Sequence, residues 1–353
     1  MDKKDLKSMN LEELTLELEL LGEKKFRTAQ VFQWIHEKLV EDVNEMTNLS
    51  QKLREKLAKD YTFTTLEIVE KQVSKIDGTA KYLFRLSDGN LIESVLMRYH
   101  HGNSVCISSQ AGCRMGCKFC ASTIAGLKRN LLPSEMLEQI YRIQRETGER
   151  VSNIVVMGTG EPFDNFDNLI RFLELITHEK GLHISARNIT VSTCGIVPRI
   201  MEFADKNLQV TLAISLHAPN NEKRKAMMPI ANKYSIEELL QACDYFYEKT
   251  KRRVTFEYSL AKGVNDSEQD ARELIQLVKS RNCHVNLIPI NPVEELDFQG
   301  SAKKVALDFK NKLEKNKINV TIRREMGRDI DGACGQLRRR HEENVGEDGT
   351  KEC

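Results

Sequence analysis

Residues 106–123 read CISSQAGCRMGCKFCAST, and this stretch concentrates four cysteines within fifteen positions. Three of them, Cys113, Cys117 and Cys120, follow the spacing C-x3-C-x2-C, and Cys106 stands seven residues upstream. Structural zinc sites usually take four protein ligands, often as two separated pairs, and no second pair follows here. Iron–sulfur clusters are held by cysteine thiolates, and three ligands leave one iron of a four-iron cluster open. The spacing therefore favours an iron–sulfur cluster, with a zinc loop or three unrelated thiols as the alternatives.

Short β-branched runs alternate with longer helical patterns from about residue 104 onward. This alternation predicts parallel βαβ units, and six units are fewer than the eight of a closed barrel. We expect an α/β fold, a partial (βα)6 TIM-like barrel whose cysteine loop follows the first strand at the C-terminal mouth. NVTIRR near residue 319 predicts a final strand. The strand candidates are SVCIS, NIVVMG, RNITVST, VTLAISLH, RRVTFEYSL and HVNLIPI.

Two other patterns precede the barrel. The first 60 residues contain three amphipathic helical patterns, one ending near Gly22 and another starting after Ser50, a candidate N-cap. Three strand patterns joined by Asp-Gly turns then predict a small antiparallel sheet. The predicted units are an N-terminal helical accessory domain at 1–60, a β extension at 61–100, the barrel at 101–325, and a C-terminal loop with a polar tail at 326–353.

The composition describes a globular protein of 353 residues with 40% hydrophobic and 30% charged residues and a net charge of +1. This charge gives no global attraction to nucleic acid, so RNA contacts would need local basic patches. No apolar run approaches the ~18 residues of a membrane helix, and the charged N-terminus lacks a signal-peptide core. We therefore expect a cytoplasmic protein with no membrane contact. Nine cysteines, an odd number, argue against a disulfide framework there.

The cysteine spacing, with Phe119 before the last cysteine, resembles the radical S-adenosylmethionine (SAM) superfamily. The resemblance implies a [4Fe–4S] cluster on Cys113, Cys117 and Cys120, with SAM on the open iron. Glycine and polar residues at later strand ends would meet at the same mouth, where Glu161 would accept a hydrogen bond from an ammonium group. Singly, each is more often an ordinary turn or strand-end residue; together they outline a SAM pocket. The predicted SAM-binding residues are Gly160, Glu161, Ser192, Ser215, Leu216, His217 and Asn291.

A more specific resemblance extends over nearly the whole chain. The motifs CISSQAGC, FCAST, GEP, STCGIVP, AISLHAPN, GVNDS, NLIPINP and DIDGACGQL occur in this order. Together they resemble the RlmN/Cfr family of radical SAM RNA adenine methyltransferases. GTGEP stands where GMGEP is more usual, which makes Thr159 a departure from the family pattern.

The family's chemistry would assign roles to three further residues. Carbon 2 of adenine is electron-poor, so direct methyl transfer from a sulfonium cannot work there. By resemblance, Cys334 is first methylated by one SAM, and the 5′-deoxyadenosyl radical from a second SAM abstracts a hydrogen atom from that methyl group. The carbon radical adds to the adenine. Cys106 then attacks Cys334, forms a transient disulfide and releases the product, while Glu93 accepts the proton from the ring carbon. Without the family, Glu93 would be interpreted as a solvated strand residue.

The motifs favour the carbon-2 branch of the family. The implied substrates are an adenine in 23S rRNA at the peptidyl transferase centre and the adenine 3′ of the anticodon in tRNA. The alternatives are a Cfr-type methyltransferase acting on carbon 8 of the same ribosomal adenine, and a non-catalytic RNA-binding iron–sulfur protein. We further expect a monomer, an electron donor such as flavodoxin, and an accessory domain that binds RNA. The candidate phosphate-binding clusters are Lys128–Arg129, Lys223–Lys225, Lys251–Arg253, Arg323–Arg324 and Arg338–Arg340.

Overall fold

The computed structural model describes residues 3–290, 298–330, 337–338 and 340–341. Its N-terminal region is helical. The predicted N-cap Ser50 accepts a hydrogen bond from the backbone N–H of Leu53 at 3.2 Å, and Gly22 adopts a positive φ just after the first helix. Both sequence-predicted helix ends are therefore confirmed. The elements here are β1 (Lys4–Asp5), α1 (Leu11–Leu20), α2 (Phe26–His36), α3 (Gln51–Asp60) and β2 (Tyr61–Thr62).

Three antiparallel strands follow, as the alternating pattern predicts. They are β3 (Glu67–Val73), β4 (Ala80–Arg85) and β5 (Leu91–Tyr99). Strand β5 also pairs antiparallel with the next strand, β6 (Gly102–Ile107). The three strands are thus continuous with the barrel sheet, so side chains on β4 and β5 share a face with side chains of the barrel.

The sheet is open, and its barrel part, from β6 to β14, is parallel. Its strand order is β14-β13-β12-β11-β10-β9-β6-β5-β4-β3, and every neighbouring pair from β6 to β14 is parallel. The final strand predicted from NVTIRR is therefore confirmed. The remaining strands are β7 (Gln110–Gly112), β8 (Leu127–Asn130), β9 (Val151–Val156), β10 (Ile189–Thr193), β11 (Thr211–Ser215), β12 (Val254–Leu260), β13 (Cys283–Pro289) and β14 (Asn319–Ile322).

Helices cover the convex face of this sheet. Alternate strand residues, such as Ile154, Val191 and Phe256, point toward the helices and form the apolar core. The opposite, concave face carries the intervening residues. The helices are α4 (Pro133–Thr147), α5 (Phe166–Thr177), α6 (Val197–Asp205), α7 (Asn221–Met227), α8 (Ile236–Thr250), α9 (Glu268–Val278) and α10 (Lys303–Lys315). Within the described residues, no helix combines the length and apolarity needed to cross a membrane.

The N-terminal helices dock on α4 through buried polar contacts. Lys7 and Glu138 form a fully buried ion pair at 2.8 Å, and Arg145 also contacts the Glu138 carboxylate. His36 Nδ1 lies 2.8 Å from the hydroxyl of Tyr141, and burial lowers the pKa of His36 to about 3. Because buried charges require partners, these contacts fix the N-terminal helices against the barrel.

Candidate active site

The cysteine loop lies between β6 and α4 at the C-terminal mouth, as the strand alternation predicts. Its backbone is held by hydrogen bonds from Cys113 N to Gly126 O at 3.1 Å and from Lys118 N to Met227 O at 3.0 Å. Gly112 has φ +81°, and a Cβ there would lie 1.9 Å from the Gly126 carbonyl oxygen. The loop therefore depends on glycine at this close approach.

The three loop thiols lie close enough to one another to interact electrostatically. Burial raises the pKa of Cys113 to about 12, and the neighbouring Cys120 adds to this rise. Burial likewise raises the pKa of Cys117, and the neighbouring Cys120 and Cys113 raise it further. Three crowded thiols are unfavourable as bare thiolates, and bound iron would stabilise the thiolate form. The donor set thus fits a group that carries several positive charges.

A mononuclear zinc site and an iron–sulfur cluster make different demands on the three thiols. Zinc draws its ligands to one point, with Zn–S distances of about 2.3 Å. In the described parts of the chain, no three or more His, Cys, Asp or Glu side chains converge on a single ion position. In a four-iron cluster each thiolate binds a different iron, so no single point of convergence is required. The three separate thiols are thus compatible with the donor set of a cluster.

The GTGEP turn after β9 forms one wall beside this loop. Gly160 has φ +112°, and a Cβ there would lie 2.6 Å from Cβ of Gln110. Glu161 is buried, and its two carboxylate oxygens accept hydrogen bonds from Phe163 N at 3.0 Å and Cys194 N at 2.7 Å. Burial raises the pKa of Glu161. The carboxylate is thus already fixed by backbone donors, an anchoring that the motif alone did not reveal.

His217 connects the fourth barrel strand to the cysteine loop. Its ring packs edge-on against Phe119 with centroids 4.9 Å apart, and its Nδ1 accepts a hydrogen bond from Ser259 N at 3.0 Å. Burial lowers the pKa of His217 to about 3, so the ring is neutral. Its φ of +55° is sparsely populated for a non-glycine residue, and Asn265 holds this turn by donating to the His217 carbonyl at 2.7 Å.

The other described residues predicted to bind SAM differ in how exposed they are to solvent. Ser192 and Ser215 are partly exposed at the ends of β10 and β11, whereas Leu216 is fully buried in the core. Asn291 lies outside the described residues. Their assignment to the SAM pocket stays a prediction, and the structure brings the serines to the same end of the barrel as His217.

The concave face also carries a polar row that the sequence did not single out. Asn286 Nδ2 donates to Glu257 Oε2 at 2.9 Å, and Thr321 Oγ1 donates to Asn286 Oδ1 at 3.2 Å. Glu257 is aligned with Ser215 on the neighbouring strand, and burial raises the pKa of its carboxyl group. Only strand register reveals this row, because the three residues are distant in sequence.

Glu93 and Cys106 share the concave face. Cys106 is paired with Val95 on β5, and Glu93 lies two residues from Val95, on the same face. Glu93 is buried, with Oε2 3.3 Å from Nζ of the fully buried Lys81. The interpretation of Glu93 as a solvated strand residue is therefore wrong, because both faces of β5 are covered.

The C-terminal segment reaches the same place. Arg338 donates its backbone N–H to Glu93 Oε1 at 2.8 Å, and Gly327 N donates to Asp77 Oδ2 at 3.0 Å. Cys334 itself lies outside the described residues. The described positions on both sides of it are anchored to the β3–β5 part of the sheet.

Two of the five predicted basic clusters contain a cation that forms ion pairs within the protein. Arg129 binds the carboxylates of Asp88 and Glu135, and Lys223 binds Asp270 at 2.6 Å. Arg224 is fully buried. A run of basic residues in the sequence therefore does not by itself identify a phosphate-binding surface. Acidic residues elsewhere in the fold already pair with Arg129 and Lys223.

Two family models match the chain. The model of the radical SAM superfamily matches residues 107–275, which hold the cysteine loop and four of the parallel strands, β9 to β12. The model of the ribosomal RNA large subunit methyltransferase N-terminal domain matches residues 4–62, which hold the docked N-terminal helices. The two matches together cover both parts of the molecule joined by the Lys7–Glu138 contact.

Full-length relatives and a solved structure agree with these matches. Proteins named "Probable dual-specificity RNA methyltransferase RlmN" from Lachnospira eligens and Lachnoclostridium phytofermentans are 66% and 60% identical, covering 97% and 96% of this chain and 98% and 95% of theirs. The crystal structure of a radical SAM methyltransferase from Sphaerobacter thermophilus is 43% identical with a TM-score of 0.90, covering 94% of this chain and 98% of that one.

Proposed function

We propose, from the premise that the chain belongs to the RlmN family of dual-specificity RNA methyltransferases, that it methylates carbon 2 of adenine in two RNAs. These are 23S rRNA, at the peptidyl transferase centre, and tRNA, at the adenine 3′ of the anticodon. The chain is a SAM-dependent radical methyltransferase of RNA, and its cofactors are a [4Fe–4S] cluster and SAM. The resemblance to the family and the partial-barrel fold expected from the sequence are thereby confirmed.

Cys113, Cys117 and Cys120 would hold the cluster. When bound, the cluster and SAM supply a 5′-deoxyadenosyl radical, which activates a methyl group that an ionic reaction could not place on carbon 2. The GTGEP turn would present its backbone to SAM, and glycine at position 160 lets this turn pack closely against Gln110. His217, neutral and locked by Ser259 N, would present a fixed wall next to Phe119.

The single observation that carries the proposal is the buried position of Glu93 beside the C-terminal segment. Glu93 accepts from the backbone of Arg338, four residues after Cys334. Cys106 shares the concave face with Glu93. This arrangement supports a site in which a methyl-bearing thiol, a second thiol and a carboxylate act on one bound base.

Each of these residues has one task in the proposed reaction. Cys334 carries the methyl group as a thioether and becomes bonded through that carbon to the adenine. Glu93 accepts the proton leaving carbon 2. The adduct radical gives one electron to a one-electron acceptor. The Cys106 thiolate attacks the Cys334 sulfur to form a disulfide, the bond from that sulfur to the transferred carbon breaks, and this carbon takes up a proton to become the methyl group of the released RNA. A thiol reductant must then return two electrons to that disulfide before the next turnover.

The partners follow from the same proposal. An adenine in folded RNA must be unstacked to reach the concave face, and the rigidly docked N-terminal domain would position that RNA. A flavodoxin-type donor would reduce the cluster in the cytoplasm, and the enzyme would act as a monomer.

The product decides between the two branches of the family. We would reconstitute the protein without oxygen, add SAM, reductant and protein-free 23S rRNA, and identify the methylated nucleoside by mass spectrometry. We expect 2-methyladenosine, and tRNA in place of 23S rRNA should give the same nucleoside. 8-Methyladenosine would overturn the carbon-2 assignment while preserving the radical mechanism, and an intact cluster with no methylation of either RNA would favour a non-catalytic binding protein.

A further inference from the structure

Arg224 on α7 is a fully buried cation beside the cysteine loop. Its Nη2 donates to the carbonyl oxygens of Cys194 at 2.7 Å and Ser215 at 3.3 Å, and its Nε donates to that of Leu216 at 3.2 Å. These carbonyls lie just beyond β10 and at the end of β11. The guanidinium therefore joins two strand ends at the mouth of the barrel.

This cation lacks the partner that burial normally demands. Its Nη1 is buried and makes no hydrogen bond, and within the described residues no Asp or Glu forms an ion pair with it. A buried charge without a counter-charge is costly. A fold that retains one has a use for its charge, and neutral carbonyls satisfy only part of the guanidinium.

The cysteine loop packs against the helix that carries Arg224 and offers a place for a compensating anion. Helix α7 ends against that loop, because Lys118 N donates to the Met227 carbonyl at 3.0 Å. Met227 belongs to a small apolar cluster that includes Cys117 and Cys194. Burial lowers the pKa of Arg224, and the neighbouring thiols of Cys194 and then Cys117 oppose this effect. A cluster held by three thiolates would place net negative charge beside this guanidinium.

We propose that Arg224 is a positioning residue for the iron–sulfur cluster. Its positive charge stabilises the reduced cluster, and its hydrogen bonds to three backbone carbonyls fix the ends of β10 and β11. When one electron enters from an external reductant, the cluster becomes more negative by one charge. A fixed cation in a water-excluded site favours that form electrostatically. The inference rests on the proposed function only through the cluster and not on the choice of RNA or ring carbon.

The test compares two variants that share one defect and differ in another. Both Arg224→Lys and Arg224→Gln lose the forked bonds to three carbonyls, but only Arg224→Gln loses the charge. Lys225→Gln is the matched control, since Lys225 is exposed on the same helix and its loss changes the net charge equally. Each full-length protein is reconstituted without oxygen, and iron and sulfide are quantified. The cluster is then titrated with dithionite under electron paramagnetic resonance, without RNA.

The expected result separates charge from structure. At the potential that half-reduces the wild-type cluster, Arg224→Gln should lower the ratio of reduced to oxidised cluster about tenfold, a shift of about 59 mV for one electron. Arg224→Lys and Lys225→Gln should stay within about twofold of wild type. Cluster loss in Arg224→Gln alone would also support the proposal. Equal shifts in both Arg224 variants, no shift in Arg224→Gln, or cluster loss in both would overturn it. An 8-methyladenosine product would change the proposed function and leave this titration unaffected.

Discussion

Removing the charge of Glu138 should destabilise the protein more than removing the charge of its partner, Lys7. The two form a fully buried pair at 2.8 Å. Glu138 also holds Arg145, which is mostly buried. Lys7 in turn lies 4.2 Å from the centroid of the Phe63 ring. The pair is therefore asymmetric: among the described residues, Glu138 forms ion pairs with both Lys7 and Arg145, whereas Lys7 forms one with Glu138 alone.

This asymmetry sets how much free energy of unfolding each variant is expected to lose. In Glu138→Gln, the Lys7 ammonium keeps its burial and loses its counter-charge, a change that typically costs about 3–5 kcal/mol. In Lys7→Met, Glu138 keeps Arg145, and the methionine can pack near Phe63, so we expect about 1–2 kcal/mol. Glu19→Gln is the control: its pair with Lys25 is exposed at 3.9 Å, and exposed pairs contribute about 0–1 kcal/mol.

Urea unfolding followed by tryptophan fluorescence measures this difference. The chain has a single tryptophan, Trp34, and it lies on α2 within the docked N-terminal region. At an m value of about 3 kcal/mol per molar urea, 3 kcal/mol shifts the midpoint by about 1 M. A Lys7→Met shift equal to or larger than that of Glu138→Gln would refute the reasoning, as would a Glu138→Gln shift no larger than the Glu19 control.

Three further predictions concern the site and the pH response. Cys106→Ala should halt the reaction after the base is attached, and a nuclease-sensitive protein–RNA adduct on a denaturing gel would show it; normal product release would exclude Cys106 as the resolving thiol. Gly160→Ala should weaken SAM binding at least about tenfold by equilibrium dialysis, since its Cβ would lie 2.6 Å from Cβ of Gln110 and would displace the proposed SAM-binding turn; unchanged binding would place SAM elsewhere. The pKa of His36 is about 3 when folded against 6.5 unfolded, so the unfolded state binds a proton that the folded state does not. Stability is then lost as pH falls, by about 1.4 kcal/mol per unit below pH 6.5 from this histidine, and His36→Gln should flatten that slope in urea midpoints at pH 7.5, 6.5 and 5.5.

The parts of the site predicted from sequence are those encoded locally. The spacing of Cys113, Cys117 and Cys120 lies within one loop, and its place after a strand follows from strand–helix alternation. The position of that loop at the barrel mouth could therefore be predicted. The helix cap at Ser50 is local in the same sense, because it depends on residues within one turn.

The parts that the sequence missed depend on contacts across the sheet. Glu93 lies in a segment with the pattern of a half-exposed strand, and its burial comes from contacts with Lys81 on the neighbouring strand and with the backbone of Arg338. Arg224 was grouped with Lys223 and Lys225 as a basic patch. Helical geometry turns these neighbours to different sides of α7, so Arg224 is buried while Lys225 is exposed. Burial of a charged residue is a tertiary property, which no local run of residues reports.

The central claim is that the methyl group reaches carbon 2 through Cys334 after losing a hydrogen atom. The most direct measurement uses SAM with a fully deuterated methyl group and follows the deuterium by mass spectrometry of the digested RNA and of 5′-deoxyadenosine. The account predicts 2-methyladenosine that carries two deuterium atoms and 5′-deoxyadenosine that carries one. A product methyl group that kept all three deuterium atoms would mean direct transfer from SAM, and it would contradict the account.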